Sequence, residues 1–459
     1  MSRVYIRGGQ IVDPAQGMDR VAADLVVEDG RISRIVTEDG QKSDLIREAD
    51  EIIDATGKLV CPGFIDIHMH EDPWNEEKQQ PDYNIAYCML RMGVTTSLGG
   101  NCGGNEIAPD EYLDAIDRVG APTNLALLAG HTFLRRQAGG TDKYAPVDDA
   151  AIEKMAEMCQ KYLDAGALGV SFGVKYIPGT RWEEIIALAS LCKKDGKMVS
   201  SHVRNDVDGV FDACAELARI GREAGVKVQF SHVGSMGGYG QMPELLRQIE
   251  GYRAEGIDMM CDCYPYEAFS TEIGATTYDE KNFAAYRSDY NCILLCDGPY
   301  AGQRCDKALF DKMRAERPET MTVGYFMRRE DVEMALHAPF TMLGSDGILV
   351  GDQGHPRAAG AFPRFLRTYA LDGSIPMYTA VEKMTAMPAK RLGLDKKGSL
   401  KPGNDADVTI FDPATIRDGA TYESPVLPPE GISCVLIGGQ VALKDGKIVR
   451  GNLGRSVRR

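Results

Sequence analysis

Apolar runs change character twice along this chain. Over about the first sixty positions they are short, alternate with polar residues and stop at turn signals. Examples are Val4-Tyr5-Ile6-Arg7 before Gly8-Gly9, Ala23-Asp24-Leu25-Val26-Val27 before Asp29-Gly30, and then Arg31-Ile32-Ser33-Arg34-Ile35-Val36. This is the pattern of a β-meander, strands of period two joined by tight turns. It returns near the other end in Ala406-Asp407-Val408-Thr409-Ile410-Phe411, Cys434-Val435-Leu436-Ile437 before Gly438-Gly439, and Val441-Ala442-Leu443 before Asp445-Gly446. Neither end has enough alternating strands to bury a core alone. Residues 1–60 and 398–459 are therefore expected to pair into one small β-sandwich domain.

Residues 61–397 follow another rhythm. Strand-length apolar runs occur at Gly63–His68, Val94–Gly99, Asn124–Ala129, Leu168–Phe172, Met198–His202, Lys227–His232, Asp258–Tyr264 and Thr341–Ser345. Between them lie helix-like stretches such as Asp148–Ala165, Arg181–Lys194, Val207–Ala224 and Pro243–Glu255, with apolar positions recurring near every 3.6 residues. Eight such repeats predict an α/β fold of the (β/α)8 TIM-barrel type. Residues 267–340 exceed an ordinary loop plus helix and are expected to form an insertion over the barrel mouth.

Composition narrows the possible partners. With 67 acidic against 52 basic residues in 459, the net charge is −15, which repels nucleic acid and anionic membrane surfaces. The N-terminal Met1-Ser2-Arg3-Val4-Tyr5-Ile6-Arg7-Gly8-Gly9 has no apolar signal core, and no stretch approaches the roughly twenty apolar residues of a membrane span. A cytoplasmic protein is expected. The twelve cysteines are scattered in apolar surroundings and contain no Cys-x-x-Cys pair, so they read as reduced core residues.

Only seven histidines are present, and four of them close candidate strands. In Asp66-Ile67-His68-Met69-His70, side chains two apart share one strand face, so His68 and His70 point together into the C-terminal mouth. His202 closes the fifth strand and His232 the sixth. Asp346 follows the eighth, and Asn101-Cys102-Gly103-Gly104 follows the second. Singly, a strand-end histidine is ordinarily a hydrogen-bonded loop residue, and a cysteine before two glycines a small turn residue. Together, His-x-His on strand one, His on strands five and six, and Asp on strand eight form a recurring hydrolase metal site.

With Pro62-Gly63-Phe64-Ile65-Asp66-Ile67-His68-Met69-His70 as its opening, this order resembles the amidohydrolase superfamily. Within it, the chain is similar to the D-aminoacylase (N-acyl-D-amino-acid deacylase) family. The similarity lies in Gly100-Asn101-Cys102-Gly103, Gly130-His131-Thr132-Phe133-Leu134-Arg135, His202-Val203-Arg204-Asn205, Tyr264-Pro265-Tyr266, Gly344-Ser345-Asp346-Gly347 and His355-Pro356-Arg357. It spans essentially the whole chain and implies zinc-dependent hydrolysis of N-acyl-D-amino acids to a carboxylate and a free D-amino acid. It also implies that Cys102, His202 and His232 hold a tight Zn2+, while His68, His70 and Asp346 surround a weaker second position. One thiolate with two imidazoles suits borderline-soft zinc and leaves room for water. Asp346 would be the catalytic group, taking a proton from that water and later giving it to the departing amine.

The implied substrate, a small N-acyl amino acid, carries a carboxylate that calls for a cation. Arg357 is the first candidate for a bidentate clamp, and the resemblance points to the same arginine. Tyr176 and Tyr264 add hydroxyl donors. Arg204 either faces the mouth or serves as a structural salt-bridge partner. Lys175, just past the fourth strand, reads as a solvated lysine, a substrate contact or a carboxylated metal bridge of the hydantoinase kind. After His232 the deacylases commonly continue with His and Lys, whereas this chain has Val233-Gly234-Ser235-Met236. Without that lysine an acidic substrate side chain is disfavoured, unless Lys175 substitutes. Two other readings stay open: a hydrolase of hydantoin- or dihydroorotate-like rings, and a non-catalytic metal-binding barrel. Retention of Asp346 and the histidines argues against the second.

Overall fold

The computed structural model describes residues 3–37 and 42–459. Met1 and Ser2, part of the N-terminal stretch read above, lie outside the described residues. Eight parallel strands carry the site: β1 (Phe64–Asp66), β2 (Val94–Gly99), β3 (Asn124–Leu127), β4 (Gly169–Gly173), β5 (Met198–His202), β6 (Lys227–Phe230), β7 (Met259–Cys263) and β8 (Thr341–Leu343). β1, β2 and β3 pair in chain order, and Ala129–Gly130, which resumes β3 beyond Leu128, leads a second sheet through β4 to β8. At the far edge the Asp346 amide donates to the His68 carbonyl at 2.6 Å and the His70 amide to the Gly347 carbonyl at 2.9 Å. Nearly all strand residues are buried, which explains why the sequence shows continuous apolar runs here instead of alternation.

The helices with 3.6-residue periodicity form at Asp149–Asp164, Trp182–Leu191, Val210–Ala224 and Met242–Ala254. Asp148 caps the first, its carboxylate accepting from the Ala151 amide at 2.9 Å, and Ile152, Met155, Cys159 and Leu163 form the buried face. Between β7 and β8, Phe269–Glu272, Ile293–Leu295 and Met321–Gly324 make a three-stranded antiparallel sheet. Arg329–His337 is the helix connecting β7 to β8, and it packs on both strands.

The two chain ends share one nine-stranded sheet. Its joining strand, Leu59–Pro62, pairs in parallel with Arg3–Asp13 and antiparallel with Val408–Phe411. This strand runs straight into β1 through Gly63, where a Cβ would lie 2.1 Å from Thr95 Oγ1, so only glycine fits. A cut at residue 60 therefore falls inside a strand. The last residues also depart from expectation. Instead of joining the sheet, they run beside β3, with the Leu125 amide donating to the Arg455 carbonyl at 3.0 Å and the Val457 amide to the Leu125 carbonyl at 2.8 Å.

Candidate metal centre

At the C-terminal ends of these strands, three overlapping groups of ligand atoms lie within 4.8 Å of one another: His68, His70 and Cys102; Cys102, His202 and His232; His68, His232 and Asp346. His202 ends β5, and the others sit in turns just beyond their strands. Cys102, His232 and Asp346 adopt φ of 53°, 35° and 52°, the left-handed region that side chains other than glycine rarely occupy. Strain of this kind persists only where surrounding contacts enforce it. At Cys102 the following Gly103 leaves the space: a Cβ there would meet Gly173 N and Thr132 Oγ1 at 2.8 Å.

Cys102 Sγ lies 3.3 Å from His232 Nε2 and 3.5 Å from His68 Nε2. His202 packs against Tyr176 and His232, with ring centroids 4.4 and 4.5 Å away, and both of its buried ring nitrogens lack a hydrogen-bond partner. An imidazole so placed is costly unless an ion satisfies it. One sulfur with two nitrogens is a donor set that fits zinc.

Neighbouring groups aim these ligands. Asp262 Oδ1 lies 2.9 Å from His68 Nδ1 and accepts from the His232 amide at 2.7 Å, while Gln229 donates to Oδ2 at 2.9 Å. With Nδ1 protonated toward Asp262, His68 turns its Nε2 to the cluster. Ser235 Oγ does the same for His232, 2.9 Å from Nδ1. Sequence reasoning missed Asp262, although a signal existed. In Cys261-Asp262-Cys263, alternation puts both sulfurs on one face and therefore the carboxylate on the other.

Burial opposes ionisation of Cys102, yet His232 and His68 outweigh it and hold the thiol well below its usual range. Burial likewise opposes ionisation of Asp346, but Arg357, followed by His68 and His232, keeps its carboxyl well below the ordinary value. His202 is pushed down to about 4 by burial and by His232. The site therefore favours a thiolate, a carboxylate and a neutral His202, whereas against the opposing effect of burial Asp262, Cys102 and Asp346 hold His68 well above the usual imidazole value and Asp346 and Cys102 raise His70 to about 9, so a metal must displace protons from those two rings.

Asp346 Oδ1 is 3.1 Å from His70 Nε2, and Oδ2 is 2.9 Å from Arg357 Nη1. The guanidinium of Arg357 is buried over the Tyr264 ring, 4.6 Å from its centroid, and its Nε has no hydrogen-bond partner. Tyr264 thus presents its face, while its hydroxyl points to Met327 Sδ at 4.0 Å. Arg204 turns away from the cluster: Nε and Nη2 bind Glu216 at 2.9–3.1 Å, which is the salt-bridge alternative. Lys175 Nζ pairs with Asp206 Oδ1 at 2.5 Å. His131, of the run Gly130-His131-Thr132-Phe133-Leu134-Arg135, is held by Glu184 at 3.0 Å.

Two cavities meet the cluster, and Tyr176 lines both. The smaller, about 30 Å³, is bounded by His202, His232, Asp346, Lys175 and Asp206. The larger, about 320 Å³, is lined by His70 and Cys102 and by residues between Ser270 and Thr276 from the segment joining β7 to β8.

The sequence pattern of the amidohydrolase family matches residues 51–173 and 315–443. A D-aminoacylase from Alcaligenes xylosoxydans xylosoxydans is 34% identical, with 99% of this chain and 97% of that protein aligned. Among solved structures, an N-acyl-D-glutamate deacylase from Bordetella bronchiseptica, complexed with zinc and a phosphonate mimic of the tetrahedral intermediate, superposes with a TM-score of 0.85 at 30% identity, covering 99% of both chains. A D-aminoacylase structure described as defining a subset of amidohydrolases gives a TM-score of 0.87 at 28% identity, again over 99% of both chains.

Proposed function

The chain belongs to the amidohydrolase family, in its D-aminoacylase group, and on that premise we propose that it hydrolyses the amide bond of N-acyl-D-amino acids, yielding a carboxylate and a free D-amino acid. The observation that carries this reading is the Cys102, His202 and His232 cluster beside an ionised Asp346 that Arg357 holds in place. A Zn2+ held by those three ligands, with a weaker second position among His68, His70 and Asp346, supplies Lewis acidity that polarises a carbonyl and lowers the pKa of water.

The chain's own groups do the remaining work. Asp346 accepts the proton of the attacking water and delivers it to the amide nitrogen as the C–N bond breaks. Arg357 holds the carboxylate of the substrate, Tyr264 fixes the guanidinium plane from below, and Tyr176 divides the two cavities. Asp262 and Ser235 fix the imidazoles, so that little reorganisation remains when substrate arrives.

The scaffold reading is a closed (β/α)8 barrel with a β-sandwich built from the two chain ends, its N-terminal part running through Pro62 and the last residues lying beside β3, and an insertion within 267–340 over the mouth. The backbone bonds from β8 to His68 and His70 support closure. A common core of Ile6, Ile11, Val60, Ile410 and Leu436 supports the sandwich. Twelve unpaired cysteines, eleven of them buried, support a cytoplasmic setting, and among the described residues no helix is long and apolar enough to cross a membrane.

The test is a screen of zinc-loaded protein against N-acetyl and N-formyl derivatives of D- and L-amino acids, with hydantoins in parallel. Release of free amine from the D-series is expected. Ring opening of hydantoins without amine release from any acylamino acid would overturn the reading.

A further inference from the structure

Resting on the deacylase reading, we propose that the Lys175–Asp206 ion pair is the specificity determinant of the side-chain subsite, closing it to acidic side chains and leaving it to small uncharged ones. Lys175 lies two residues past β4 and Asp206 four residues past His202, so adjacent strands bring the pair to the wall of the smaller cavity. Both are nearly inaccessible, with side chains 3% and 9% exposed. Tyr286, from the insertion, donates to Asp206 Oδ2 at 2.5 Å, and Thr276 donates to the Lys175 carbonyl at 2.6 Å. The Asp206 carboxylate and the Lys175 backbone are therefore each fixed by a hydrogen bond from the segment between β7 and β8.

This cavity belongs to the amine half of the substrate, because it contains Asp346, which must face the departing nitrogen. The larger cavity lacks Asp346 and has room for an acyl group, and Arg357 reaches the smaller cavity only through Asp346, 2.9 Å from its Nη1. About 30 Å³ admits about two water-sized groups, which suits a short side chain. Charge sets the second filter. Lys175 alone would attract a carboxylate, but its ammonium is already neutralised by Asp206. An incoming carboxylate would meet Asp206 at close range in a water-poor site, and a cationic side chain would meet Lys175 in the same way.

The experiment compares N-acetyl-D-aspartate with its neutral isostere N-acetyl-D-asparagine, in the wild type, Asp206→Asn, Lys175→Met and the double variant. Calorimetric binding of D-aspartate and D-asparagine is a second readout that does not depend on turnover. The wild type should favour the asparagine derivative. Asp206→Asn, which keeps shape and frees the ammonium, should raise the acid-to-amide ratio of kcat/KM by about tenfold or more, with a parallel shift in binding, and the double variant should lose that gain. Lys175→Met, leaving Asp206 unopposed, should lower the ratio further. A folded Asp206→Asn whose ratio stays at the wild-type value overturns the proposal. So does a Lys175→Met protein with an unchanged ratio should the first variant not fold, and so does a gain confined to N-succinyl-D-alanine, whose extra carboxylate is on the acyl side. Absence of amine release from every acylamino acid in the wild type is the separate failure of the deacylase reading itself.

Discussion

Charge is handled in opposite ways at the strand mouth and in the terminal sheet. At the mouth, Asp66, His68, His202, His232, Asp262, Asp346 and Arg357 are all buried, and all but His202, whose ring nitrogens face the cluster unpartnered, are tied together by hydrogen bonds and ion pairs. In the terminal sheet, Arg7 pairs with Asp54, and Arg31 with Asp405, at the surface, the buried Asp13 and Asp24 are taken up by hydrogen bonds from backbone amides and the Tyr5 hydroxyl, and the core is Val4, Ile6, Ile11, Ile410 and Leu436. Exposed pairs contribute little to stability, whereas a buried charge is strongly destabilising if it loses its partner. A protein retains such a network when the groups must hold particular protonation states in particular places. Function is therefore concentrated in the polar interior of the strand ends, and stability in the apolar interior of the sheet.

The largest effect that can break this contrast is at Asp346. Asp346→Asn keeps the shape but cannot accept a proton, so kcat should fall by a factor on the order of a hundred or more, while fold and metal content persist. Near wild-type turnover would assign the proton to another group. Arg357→Met comes next, with kcat/KM for an N-acyl amino acid falling about a hundredfold. Its corresponding carboxamide should fall much less, and that smaller loss measures the hold of Arg357 on Asp346. Equal losses for both substrates would remove the clamp. In the sheet, Ile410→Ala should cost about 2–5 kcal/mol of stability and leave kcat/KM unchanged at temperatures where the protein stays folded. A kinetic defect there would mean that the two regions are coupled.

Much of the mouth was legible in the sequence because a parallel-strand fold brings the residue after each strand to one end. Reading eight apolar runs brought the His68-x-His70 pair, His202, His232 and Asp346 to one end, and the family resemblance added Cys102. Strand limits were less legible. His232 and Asp346 were counted in or beside strands, yet both lie in left-handed turns that only the assembled site enforces. Asp262 was overlooked because its partners come from β1 and β6, far away in sequence. Asp206 and Tyr286 escaped for the same reason, since nothing local shows that Lys175 meets them. The terminal residues beside β3 form backbone bonds with almost any sequence, so no pattern marks them. Arg204 was open between the mouth and a structural ion pair, and only the fold, which brings Glu216 on the following helix beside it, decides for the ion pair.

The most direct test of the account is the metal content of Cys102→Ala. Wild-type protein should hold at least one zinc per chain through exhaustive dialysis, measured by elemental analysis. Cys102→Ala, folded by circular dichroism, should hold almost none, because the cluster then keeps two imidazoles and no thiolate. A folded Cys102→Ala protein that retains a full equivalent of zinc would contradict the assignment of Cys102, His202 and His232 as the metal site.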